Sequence, residues 1–100
     1  MDVTENEIAE AVLIILSGTV SGEAKLSFLR TRIPEHVQLS AHDQEQSFKR
    51  PNEQMWEQRL RNIKSHSINE GNYIAEGYLT APSRGSLRIT DRGRKKVSGI

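Results

Sequence analysis

Between Glu53 and His66 the chain carries Gln54, Gln58, Arg61, Asn62 and Ser65 at spacings that, at about 100° per residue, gather them on one side of a helix. Trp56, Leu60 and Ile63 follow at i, i+4 and i+7 and mark the opposite, core-facing side. Carboxamides and a guanidinium along one exposed face can make paired hydrogen bonds with planar heterocycles: Gln and Asn match adenine, Arg matches guanine. Around them stand Lys49, Arg50, Arg59, Lys64 and Arg84, cations suited to phosphate oxygens. The chemistry on offer is recognition of a duplex, base edges by the first set and backbone by the second. Taken singly, each of these residues also reads as an ordinary solvated side chain. Their combination carries the argument, since every piece sits where one docking geometry would use it.

Nothing in the sequence assembles a catalytic centre. The 100 residues include no cysteine, which excludes disulfides, thiolate metal sites and cysteine nucleophiles. His36, His42 and His66 have neither HxxxH nor HxH spacing, so no zinc site is expected. The seven glycines are dispersed and form no phosphate-cradling loop. Glu45 and Lys49 do not sit in the strand setting of a PD-(D/E)XK nuclease core. The expectation is a chain with no catalytic residue, metal or cofactor, any nuclease activity lying in a separate domain.

The elements that would hold the two sets can be read in turn. Thr4-Glu5-Asn6-Glu7 forms a capping box at the start of a helix over Glu5–Ser17, with Ile8, Val12 and Ile15 on its apolar stripe and Gly18 as its C′ residue. Glu23–Arg30 reads as a second helix, ended by Pro34. Val37 and Leu39 suggest a short extended stretch, Ser40 can cap one helical turn, and Gln44–Asn52 is polar loop. The third helix is expected over Glu53–His66, with Asn52 as N-cap, followed by a break at Asn69–Asn72 and a turn at Tyr73–Gly77. Tyr78–Ala81 and Ser86–Thr90 read as strands joined by a turn at Pro82–Gly85, with Arg84 at its tip. A short basic helix then runs from Thr90, its cap, through Lys96. Helix, helix, loop, helix, hairpin and closing helix is the order of an α+β winged helix-turn-helix: three helices, a two-stranded wing and a short C-terminal helix, in one domain over residues 1–97, with 98–100 as a tail or the start of a linker.

Charge is unevenly placed along this order. Residues 1–46 hold three Lys or Arg against eight Asp or Glu, and residues 47–100 hold eleven against five, so a net −5 precedes a net +6. Such a split suits one face that meets a polyanion and another that does not, although chance segregation also produces it. With 35% apolar residues and a mean hydropathy of −0.61, the chain reads as soluble. The longest apolar run, Ala11–Leu16, is too short to span a membrane, and the acids ahead of it do not suit a signal peptide. The expected setting is cytoplasmic and nucleoid-associated.

The stretch Met55–His66, then Gly71-Asn72, Ala75–Leu79 and Arg84–Arg94, resembles the winged-helix domains attached to restriction-type nucleases: the Mrr N-terminal type and those fused to HNH or PD-(D/E)XK domains. The resemblance covers roughly residues 24–96, and the segment from Trp56 to Tyr78 is its more distinctive part. The break at Asn69–Asn72 departs from the simpler Mrr pattern, in which the helix runs on toward the wing. In that family the winged helix reads DNA and another domain cuts it, and several members are implied to recognise N6-methyladenine or a methylated cytosine. The resemblance thus implies a target-reading module of a modification-dependent restriction endonuclease, with double-stranded DNA as partner and a fused or separate nuclease domain. Trp56 or Tyr73 would supply the apolar contact to a modified base. Two other functions stay open on the sequence: a stand-alone transcriptional regulator, and a winged helix that binds protein.

Overall fold

A computed structural model describes residues 1–99 as four helices and a three-stranded antiparallel sheet. The first helix, α1, spans Glu5–Ser17 as expected. Its capping box is formed: the Glu7 amide donates to Thr4 Oγ1 at 3.0 Å, and the Thr4 amide donates to Glu7 Oε1 at 2.9 Å. Gly18 closes the helix in right-handed geometry, its N–H shared between the Ile15 and Leu16 carbonyls. The stripe on α1 is fully buried at Ile8, Val12, Leu13 and Leu16, and packs on Leu29, Ile33, Leu60, Ile63 and Leu87.

The second expected helix is corrected. Its first residues, Glu23–Lys25, form a strand, β1, and the helix α2 runs over Leu26–Arg32 before one 3-10 turn at Ile33–Glu35 that holds Pro34. A Glu-Ala-Lys triplet favours helix locally, but here it pairs with β3, and tertiary pairing outweighs propensity. The two strands of the expected hairpin are β2 (Leu79–Thr80) and β3 (Ser86–Ile89). Because β1 adds to the far edge of β3, the sheet has order β1-β3-β2 rather than being a lone hairpin. The register sets Lys25 opposite Ser86 and Thr80 opposite Arg88. Gly85, at φ +79, supplies the left-handed residue of the turn, and its carbonyl accepts from the Leu26 amide at 2.7 Å.

The third helix, α3, spans Met55–Ser65, two residues later than the sequence suggested, with Gln54 rather than Asn52 as N-cap. Glu53 and Gln54 stay extended because the Ser47 amide donates to the Glu53 carbonyl and Gln46 pairs with Gln54. Its far end is closed by buried Asn72. That side chain donates to the Ile63 carbonyl at 2.9 Å and accepts from the Ile74 and Ala75 amides, so the break after α3 is a fixed turn. The last helix, α4, spans Asp91–Ser98 and is capped by Thr90 as expected. It runs two residues past Lys96, so Ser98 is helical and Gly99 its left-handed cap; Ile100 lies outside the described residues.

Gly93 sets how closely α4 lies on the rest. A Cβ there would stand 2.3 Å from the Tyr78 carbonyl oxygen and 2.9 Å from Ile89 Cγ1, closer than atoms can approach. Gly93→Ala is therefore expected to destabilise the fold by roughly 2 kcal/mol, overpacking outweighing the gain of up to about 1 kcal/mol in helix propensity. Urea unfolding at equal m-value checks this; a variant as stable as the parent would show that α4 shifts without cost.

Candidate nucleic-acid interface

Of the five residues expected to read bases, the structure leaves two uncommitted. Asn62 lies on α3 with no hydrogen bond to its side chain among the described residues, and Ser65 is exposed at the end of the same helix. The other three are engaged. Gln54, as the N-cap, is off the helix face and accepts from the Trp56 indole N–H at 2.8 Å. Gln58 accepts from the Ser47 hydroxyl at 2.7 Å. Arg61 makes two hydrogen bonds of 3.0 Å to Glu53, and this guanidinium holds the Glu53 carboxyl below the usual carboxylate range.

The two residues expected to touch a modified base are placed elsewhere. Trp56 is 4% exposed, packed in the core as its spacing required, and offers no ring face to a ligand. Tyr73 is half-buried beside α1 and α4: its hydroxyl donates to Glu10 at 2.8 Å, its ring meets Tyr78 edge-on, and Lys96 Nζ lies 5.6 Å above it. Burial and the Glu10 carboxylate raise its pKa and keep the phenol protonated.

The cations divide in the same way. Arg59 donates to the fully buried carboxylate of Asp43 at 2.6 Å, so its first task is structural. Lys49 and Arg50 stand exposed in the loop before α3 and lack a carboxylate within ion-pair distance among the described residues. Lys64 reaches from α3 to the Ser83 carbonyl at 3.2 Å, which brings its ammonium to the turn that carries Arg84. On the other side of this turn is Lys25, exposed where β1 meets α2, lining one surface cleft with Ser83 and Arg84. Lys25, Lys64 and Arg84 thus ring the β2–β3 turn. Sequence reasoning missed Lys25 because it placed that residue inside a helix.

The ligating atoms of Asp2, His42 and Asp43 come within 4.8 Å of one another, a proximity that the histidine spacing does not reveal. Each is already used. Asp2 accepts from Ser40 Oγ and pairs with His42 Nδ1, both at 2.7 Å, and Asp43 serves Val3, Ser40 and Arg59. The cluster pins the segment before α1 to the turn at Ser40.

The sequence model of the Mrr N-terminal domain, found in Mrr-type restriction enzymes, matches residues 6–98. The chain belongs to the Mrr N-terminal domain family. The match runs from the first turn of α1 to the last residue of α4 and so takes in every element of the fold. No curated protein and no solved structure matches the chain closely. Membership in the Mrr N-terminal family places the chain in a restriction-system context and agrees with a domain distinct from a catalytic nuclease domain. No described helix is long and apolar enough to cross a membrane.

Proposed function

We propose that this Mrr N-terminal domain is a winged-helix reader of double-stranded DNA and the targeting module of a restriction system. In this reading α3 enters the major groove, and the β2–β3 turn is the wing that lies along the phosphate backbone. The observation that carries it is the ring of Lys25, Lys64 and Arg84 around the turn, beside the helix that bears Asn62 and Ser65. Three cations drawn from β1, α3 and the wing mark a backbone contact, and the free amide of Asn62 marks a base contact. The order α1-β1-α2-α3-β2-β3 supports the winged-helix reading, since it sets the third helix and the hairpin side by side.

Fluorescence anisotropy on matched duplexes at two salt concentrations tests the proposal, with unmodified, N6-methyladenine, 5-methylcytosine and 5-hydroxymethylcytosine versions of one sequence. Salt-sensitive binding supports DNA recognition, and preference for one modified duplex would make the domain the modification-dependent reader of its system. Failure to bind any duplex would refute the reading in favour of a protein-binding winged helix.

Within this reading Asn62 has a distinct role. Asn62→Ala is expected to cost roughly 1–3 kcal/mol on the preferred site, to relax specificity at one base pair, and to leave the salt slope unchanged. Arg61→Ala should first weaken the fold around Glu53, because Arg61 meets that carboxylate in the free protein. Anisotropy beside thermal melts of both variants separates the two effects.

A further inference from the structure

The largest exposed aromatic of the domain stands in the loop that leads into α3. Phe48 is 95% exposed, whereas Phe28 is 41% exposed beneath the Arg32 guanidinium, Trp56 is buried, and Tyr73 and Tyr78 are packed against each other. A lone exposed apolar side chain is ordinary, as Val20 and Ile68 show; Phe48 differs in standing on an anchored loop directly before two exposed cations. The base of this loop is fixed. Ser47 is buried, its amide donates to the Glu53 carbonyl at 2.6 Å, and its hydroxyl donates to Gln58 at 2.7 Å. The Lys49 amide returns to Ser47 Oγ at 3.1 Å, so the backbone on both sides of Phe48 is anchored to α3.

The anchoring has a consequence for recognition. Gln58, on the outward side of α3, accepts from Ser47, so the loop lies against that side of the helix near its start. At that place stand an apolar ring and, immediately after it, the exposed cations Lys49 and Arg50. Cations beside an apolar ring fit a polyanion whose edge also offers apolar atoms, and in the major groove those atoms are the methyl groups at C5 of pyrimidines.

We infer that Phe48 is a specificity residue that packs against the C5-methyl group of a pyrimidine in the major groove, with Lys49 and Arg50 on the flanking phosphates. The inference rests on the DNA-reading proposal above. The methyl belongs either to thymine or to 5-methylcytosine.

The test begins with the duplex bound best from a random pool, resynthesised with deoxyuridine for thymine and, separately, with 5-methylcytosine for cytosine. Parent and Phe48→Ala are titrated against each by anisotropy. Loss of affinity on deoxyuridine identifies thymine, and gain on 5-methylcytosine identifies the methylated base. In either case about six- to thirty-fold is expected for the parent, within the range of a good base contact, and the difference should vanish in Phe48→Ala. The salt slope and melting temperature should match the parent, since no charge and no buried contact is removed. If neither substitution changes parental affinity, or if the difference persists in Phe48→Ala, the inference is overturned while DNA reading stands. If no duplex is bound at all, both fall together.

Discussion

Replacing Arg59 with alanine is expected to lower the melting temperature by about 15 °C while leaving the salt dependence of duplex binding unchanged. Arg59 belongs by type and position to the cations of α3, but its guanidinium is given to Asp43, a carboxylate with no exposed surface. Removing it leaves that charge buried with only the Val3 and Ser40 amides as donors, a loss worth roughly 3 kcal/mol for a buried pair broken on one side. In a domain of this size each kcal/mol moves the midpoint by roughly 4–8 °C. The pH dependence gives a second signature. Burial pushes the Asp43 carboxyl up, but bonds from Ser40, Val3 and Arg59 outweigh it and set the folded value below the ordinary 3.8. A carboxyl with a lowered folded pKa stabilises fully above its unfolded value and loses that contribution as the pH falls through the folded one. In the parent this loss therefore comes below about pH 4. Without Arg59 the burial effect gains weight, the carboxyl takes up its proton at higher pH, and the stability gap between variant and parent narrows on going from pH 7 to about pH 4. Thermal melts followed by circular dichroism across that range decide the matter. An unchanged melting temperature would mean that water replaces Arg59 without cost.

This pair shows where the sequence was readable and where it was not. Relations that span one turn were legible: Thr4 with Glu7, the core spacing of Trp56, Leu60 and Ile63, Thr90 capping α4, and the glycine-bearing turn between the wing strands. Relations set by tertiary structure were not. β1 has three residues and no period to detect, and it exists because β3 has a free edge. Lys25 owes its place beside Arg84 to that pairing, so no local signal marks it as part of the cationic ring. The commitments of the candidate base readers were invisible. Ser47 engages Gln58 from eleven positions away, Glu53 holds Arg61 from eight, and Asp43 holds Arg59 from sixteen. A helical wheel reports which way a residue faces, and only the fold reports what already faces it.

The largest functional effect is expected from neutralising the ring around the wing. Lys25→Ala, Lys64→Ala and Arg84→Ala combined should weaken duplex binding on the order of a hundred- to a thousand-fold at low salt, as three contacts to charged groups at roughly 1–1.5 kcal/mol each would. The same variant should lower the slope of log affinity against log salt by about 2.7, one counterion release for each lost phosphate contact. The comparison that gives this force is with the second basic surface, on α4. There Arg92 donates to the Glu76 carbonyl and lies over Tyr78, and Lys96 pairs with Glu10 above Tyr73 and Tyr78. Lys96 is paired and holds α4 to α1, and Arg92 is held to the turn at Glu76–Tyr78, whereas the ring residues have no carboxylate partner among the described residues. Arg94 and Lys95, the α4 cations outside these contacts, supply the control: Arg94→Ala with Lys95→Ala should change affinity and salt slope little. If the α4 pair instead carries the larger loss, DNA lies along the opposite basic face and α3 is not the reading helix. A loss shared equally between the two sets would mean that the duplex is held by general charge, and the placement of α3 in the groove would lose its support.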